Sequence, residues 1–190
     1  MDRLRIAIGD DDEFDIKALR GMLQSNGHNV ICEETDGSSL LRKIRSMMPD
    51  FVIAGYNMPG IKGLEIARII QENNIAPVLL TAKSSEDVFV RKMGDEYFPY
   101  IIKPITEDKL LFTIEFVYNN FKKISTLQNE VYKLKNMLET RKNVERAKGI
   151  LMDKYDMGEK DAFRYIQKRS MDECEPIDKI AKRIIENAKK

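Results

Sequence analysis

The chain has 190 residues, 43% of them hydrophobic, with 32 basic and 31 acidic side chains, two cysteines and no tryptophan. That length allows one domain or two small ones, and that apolar content excludes global disorder. No apolar run reaches the ~18 residues that span a bilayer. The N-terminus reads as a strand rather than an export signal, and Cys32 and Cys174 fit no metal or disulfide framework, so a cytoplasmic protein is expected.

In chain order, short apolar runs alternate with segments of helical spacing. Leu4 to Ile8 is a strand closed by Gly9 and the acidic run Asp10-Asp11-Asp12; Phe14, Ile16, Leu19, Met22 and Leu23 then recur at helical spacing. Val30 to Cys32 is a second strand, and Leu40, Leu41, Ile44 and Met47 or Met48 mark a second helix that Pro49 closes. Phe51 to Ala54 is a third strand, followed by a helix bearing Leu64, Ile66, Ile69 and Ile70. Pro77 to Leu80, a short helix at Val88 to Met93, and Tyr100 to Ile102 complete the series. Strands that alternate with helices are joined by right-handed crossovers. They predict an α/β doubly wound, five-stranded parallel sheet covered on both faces.

Ligands in such sheets bind beyond the carboxyl ends of the strands. Those ends carry Asp10, Asp11 and Asp12, then Gly55, Thr81 and Lys103. Carboxylates suit a hard cation such as Mg²⁺, whereas a hydroxyl and an ammonium suit phosphate oxygens. An acidic run alone is also what a solvated helix start looks like. Compatible chemistry at several strand ends favours a site.

On Asp10-Asp11, the loop Asn57-Met58-Pro59-Gly60, Thr81-Ala82, and Tyr100 with Lys103-Pro104, residues 3–120 resemble a response-regulator receiver domain. The resemblance implies a phospho-accepting aspartate at the end of the third strand, three residues before Met-Pro-Gly, and Gly55 stands there. Glycine offers no side chain for an acyl phosphate, and Tyr56, Asn57 and Ser84 offer no carboxylate instead. A pseudo-receiver is therefore expected over residues 1–120, with Asp10, Asp11, Gly55, Thr81, Tyr100 and Lys103 as a vestigial rim. Lys103 is expected to pair with Asp10 or Asp11. No cofactor is required; Asp10 and Asp11 retain at most a weak Mg²⁺ site. The stretch from Gly94 to Tyr100 is also longer than the family's usual spacing.

From Glu107 the pattern stays helical, with no Gly or Pro before Gly149. Val117, Ile124, Val131 and Leu138 at position a, with Asn120, Leu127 and Leu134 at d, form a 3.5-residue repeat within residues 117–140. β-Branched residues at a and Leu at d favour a parallel two-stranded coil, so a homodimer through this linker is expected.

Three apolar stripes follow: Val144, Ala147, Leu151 and Tyr155; then Ala162, Phe163 and Ile166; then Ile177, Ile180, Ala181, Ile184, Ile185 and Ala188. Gly158 and Pro176 punctuate them, and Gly is an adequate cap. An all-α three-helix bundle is predicted, with Tyr155 and Tyr165 in its core. The net charge of +1 conceals an asymmetry here: residues 1–110 hold 14 basic and 18 acidic side chains, and residues 111–190 hold 18 and 13. Such an offset suggests modules with different partners.

The string Arg141, Val144-Glu145-Arg146-Ala147-Lys148-Gly149-Ile150-Leu151-Met152, Glu159, Ala162-Phe163, Arg169-Ser170-Met171 and Ile180-Ala181 resembles an ANTAR domain over residues 137–190. The resemblance implies an RNA-binding module of transcription antitermination regulators, which engages paired stem-loops of a leader transcript as a dimer and blocks the terminator. It carries RNA contact onto Arg141, Ala147, Lys148, Gly149 and Arg169. Ala147 and Gly149 would admit RNA close to the helix, and Lys148 would meet backbone phosphate. The function expected is an RNA-binding antiterminator, not an enzyme, whose receiver answers to a partner protein or another signal instead of phosphorylation. Two alternatives stay open: a DNA-binding response regulator, which needs a helix in the major groove, and a protein-interaction scaffold.

Overall fold

The structure, a computed structural model, describes residues 3–83 and 98–188. The helix expected at Val88 to Met93, the Ser84 hydroxyl and the start of the Gly94 to Tyr100 stretch lie outside the described residues. The chain divides into two compact units, Met1–Lys123 and Ile124–Lys190.

In the first unit, β1 (Arg5–Gly9), β2 (Asn29–Glu34), β3 (Phe51–Gly55), β4 (Val78–Lys83) and β5 (Tyr100–Lys103) form one parallel sheet in the order β2-β1-β3-β4-β5. Helices α1 (Glu13–Ser25), α2 (Gly37–Met47) and α3 (Gly63–Glu72) supply crossovers. Side chains on a strand alternate between faces, and the core divides accordingly. Ile6, Ile8, Phe51, Ile53 and Leu79 pack with Ile16, Leu19 and Leu23 of α1. Ala7, Val52, Ala54 and Leu80 point the other way, onto Leu40 and Ile44 of α2 and Ile66 and Ile70 of α3. Two helix starts are fixed by aspartates: Asp12 accepts from the Phe14 amide at 2.8 Å, and Asp36 from the Ser39 amide at 2.9 Å.

The strands run further than their apolar runs. Gly55, Thr81 and Lys103 are strand residues, with Gly55 opposite Thr81 and Lys83 opposite Lys103. Ladder hydrogen bonds use backbone groups and continue past the last apolar side chain.

A single helix, α4, spans Glu107–Tyr155 and continues through Gly149. Leu110, Ile114 and Val117 complete the first unit's core beside α1. This corrects the expected heptads: Val117 is buried in that core and is not free to begin a coiled-coil seam. The exposed stripe starts one heptad later. Ile124, Leu127, Val131, Leu134 and Leu138 are each 50–59% exposed.

In the second unit, α4 packs with α5 (Glu159–Asp172) and α6 (Ile177–Asn187). Val144, Ala147, Leu151, Ala162, Ile166, Ile180, Ala181 and Ile185 form its core. Gly158 caps α5 without a side-chain bond, and Pro176 occupies the cap of α6 rather than its first turn. Tyr155 and Tyr165 are exposed, not in the core as their spacing suggested. Among the described residues no helix is long and apolar enough to cross a membrane.

Candidate functional site

The first candidate lies at the carboxyl rim of the sheet. Asp10 follows β1 directly and is completely buried. Its carboxylate accepts from the Thr81 hydroxyl at 2.8 Å, the Lys103 ammonium at 2.8 Å and the Asp12 amide at 3.2 Å. Lys103 donates a second bond to Asp15, on the first turn of α1, at 2.7 Å. Asp11 does not share Lys103; it faces Lys83 at 4.0 Å. Burial pulls the Lys103 ammonium down, but the bonds to Asp10 and Asp15 outweigh it and hold its pKa above that of an ordinary lysine. Tyr100 is exposed on the edge strand.

Gly55 closes the far side of this cluster. A Cβ there would stand 2.9 Å from Asp10 Oδ2 and 3.2 Å from Asp10 Cα. A side chain at position 55 would thus begin against the Asp10 carboxylate, which would have to give way slightly to admit it. Gly63, at the start of α3, is fixed by backbone instead: its Cβ would fall 2.2 Å from the Gly55 carbonyl oxygen. What remains between Asp11, Gly55, Asn57, Thr81 and Lys103 is a cavity of about 10 Å³, the room of one water. The donor set does not suit Mg²⁺ as it stands, because both Asp10 oxygens already accept from a cation, a hydroxyl or an amide. Among the described residues no three acidic, His or Cys side chains converge as a metal cluster. Sequence reading missed Asp15 and Lys83. An acid in a first helical turn looks like a dipole partner whether or not a lysine reaches it.

The second candidate is the bundle's surface. Of the residues expected there, Arg141 is exposed and makes no ion pair among the described residues. Ala147 is completely buried in the bundle core, so its small side chain serves packing between α4 and its neighbours and not the approach of a ligand. Lys148 is also withdrawn from solvent: its ammonium bonds Glu145 at 3.0 Å and Glu159 at 2.8 Å, and these bonds hold its pKa high. It ties the first turn of α5 to α4. Arg169 donates to Glu173 at 2.8 Å, and Glu173 also pairs with Arg183 of α6. Arg146, Lys160, Arg164 and Lys168 are exposed and, among the described residues, without ion pairs.

Gly149 sits inside α4, yet a Cβ there would meet nothing within 4 Å. A glycine within a helix costs roughly 0.5–1 kcal/mol relative to alanine, and no close approach among the described residues requires it. Gly149→Ala is therefore expected to stabilise the bundle by about that amount, read from its thermal unfolding transition. Destabilisation would mean that the open space is not open.

Residues 6–115 match the response regulator receiver domain and residues 133–185 the ANTAR domain. The chain belongs to the response regulators that join these two domains, a regulatory family rather than an enzyme family. It is 36% identical to PdtaR, a transcriptional regulatory protein of Mycobacterium tuberculosis, over 183 residues that cover 96% of this chain and 89% of that protein. It is 34% identical to the protein PilH of Pseudomonas aeruginosa over 121 residues, 60% of this chain and 96% of that one. The receiver domain of NarL from Mycobacterium tuberculosis superposes with a TM-score of 0.56 at 24% identity, covering 63% of this chain and 98% of that domain, a likeness of fold alone.

Proposed function

We propose that this regulator acts on transcription by binding RNA hairpins as a parallel dimer, as an antiterminator, and that its receiver works without phosphorylation. One observation carries the RNA reading. The ANTAR match falls on a bundle whose exposed cations Arg141, Arg146, Lys160, Arg164 and Lys168 have no acidic partner among the described residues. Unpaired surface cations are what a phosphodiester backbone recruits, with release of its counterions. Dimerisation is supported by the exposed stripe from Ile124 to Leu138, whose 3.5-residue repeat suits a second copy of the same helix.

The receiver reading rests on Gly55 and Asp10. Thr81 and Lys103, the groups suited to phosphate oxygens, are bonded to Asp10, and the cavity beside them holds about one water. Input then comes from a partner protein on the receiver, which hides the RNA face or hinders dimerisation until released.

A small-molecule phosphodonor such as acetyl phosphate is expected to leave the mass and the oligomeric state of the full chain unchanged. A stable phospho-adduct within residues 3–120 would refute the receiver reading. For the RNA reading, labelled hairpin RNA bound to the full chain is expected to resist competition by duplex DNA. Effective competition by the duplex would favour a DNA-binding regulator, and no affinity for either would favour a protein-interaction scaffold.

A further inference from the structure

We infer that the cleft between α4, α5 and the start of α6 is a pocket for an unpaired nucleobase, with Phe163 as its stacking platform and Arg141 as its cationic clamp. The inference rests on the RNA reading above and names where a loop base goes.

The cleft, of about 470 Å³, is lined by Asn136, Met137, Thr140, Arg141, Val144, Glu145, Phe163 and Ile177. Its floor is apolar and belongs to the bundle core: Val144 is buried and Ile177 packs against the core. Phe163 is 42% exposed although its neighbours Ala162 and Ile166 are completely buried. The helix has turned this ring out of the core. An exposed aromatic over an apolar floor is a poor solvent surface and a good platform for the flat face of a base.

The rim supplies the rest of what a nucleotide needs. Arg141 brings a planar guanidinium with no ion pair among the described residues, able to stack or to grip phosphate. The Asn136 amide and the Thr140 hydroxyl offer donors and acceptors to the edge of a base that is no longer paired. Glu145 is the one acid on the rim, and it is tied down by Lys148 at 3.0 Å, a cation it shares with Glu159, so it faces the bundle's own lysine while the rim's guanidinium stays available. Lys160, Arg164 and Lys168 follow at intervals of four on the exposed side of α5, a file of cations for the flanking backbone. This charge decides between occupants. A second copy of the chain would bring the same cations to the contact, whereas RNA neutralises them.

This chain has no tryptophan, so Phe163→Trp creates a single fluorescent reporter in the pocket. An RNA hairpin enriched from a loop-randomised pool on the wild-type full-length chain is the probe. Adding it is expected to change the emission of Phe163→Trp, and Phe163→Ala is expected to weaken the hairpin's binding about 5- to 100-fold. Arg141→Ala is expected to weaken it as well, with Arg141→Lys restoring only part. Circular dichroism of each variant separates loss of the pocket from loss of the bundle. If the wild type enriches no hairpin, the RNA reading itself fails. If a hairpin binds but the tryptophan is silent and Phe163→Ala binds normally, only the pocket is wrong. An emission change that follows protein concentration without RNA would mean that a second copy covers the cleft, and would overturn the inference.

Discussion

Lys103→Met is expected to destabilise the receiver unit by about 3–5 kcal/mol, the loss seen when one partner of a buried ion pair is removed. Asp10 is completely buried, and Lys103 is its only cation among the described residues. Without it, Asp10 keeps the Thr81 hydroxyl and the Asp12 amide, two neutral donors for a desolvated charge. Asp15 loses the same cation but is partly exposed and can return to water. The double variant Asp10→Asn/Lys103→Met is expected to recover most of the loss, because removing both charges leaves no uncompensated one. Amide exchange in peptides from β1 and β3, measured across urea concentrations, reads the unit's stability apart from the bundle's. A loss below about 1 kcal/mol for Lys103→Met would mean that the pair is solvated and that Asp10 is not a desolvated charge. The sign of the pH dependence follows from the raised pKa of Lys103. Its contribution is complete below the ordinary lysine value of about 10.4 and is lost only as pH rises through the higher folded value, so neutral pH leaves it intact.

The double variant Leu127→Lys/Leu134→Lys is expected to reduce the mass in solution from twice the chain to the single-chain 22.0 kDa. Both leucines are at least half exposed within the single chain, so lysines there cost its own fold little. Across a parallel seam the same lysines would face their copies and repel. If two bundles must engage two hairpins on one transcript, affinity for a paired-hairpin RNA is expected to fall about 100-fold or more, while affinity for one hairpin changes little. Val117→Lys is the contrasting case. Val117 is buried beside Leu110 and Ile114, so this change is expected to damage the receiver unit first. Sedimentation analysis of the two variants decides the register. A double variant that stays dimeric would place the interface elsewhere.

Much of the fold is written in periodicity. Alternation in Ile6-Ala7-Ile8 and Phe51-Val52-Ile53-Ala54 predicts strands buried on both faces, and the two cores divide along that alternation. The helix from Glu107 is legible because nothing interrupts it, and the cluster at the strand ends follows from topology alone. The bundle surface was less legible. Ala147, Lys148 and Gly149 are consecutive in a motif, yet they meet the core, two glutamates and open space in turn. A helix turns about 100° per residue, so neighbours in sequence look in different directions. Which direction is the outside depends on where α5 and α6 pack.

The sequence by itself determined the order of the described strands and helices, the two-part organisation, the 3.5-residue repeat from Ile124 to Leu138 and the absence of a carboxylate at position 55. Those follow from spacing and side-chain chemistry, which are local. Tertiary structure alone decided that the Asp10 carboxylate lies against Gly55, that Lys103 reaches Asp15 rather than Asp11, that Val117 belongs to the receiver core, and that Phe163 and Arg141 share a cleft. Each of these is a contact between residues on different elements. A buried charge takes whichever partner the packing brings within about 3 Å, and periodicity does not carry that distance.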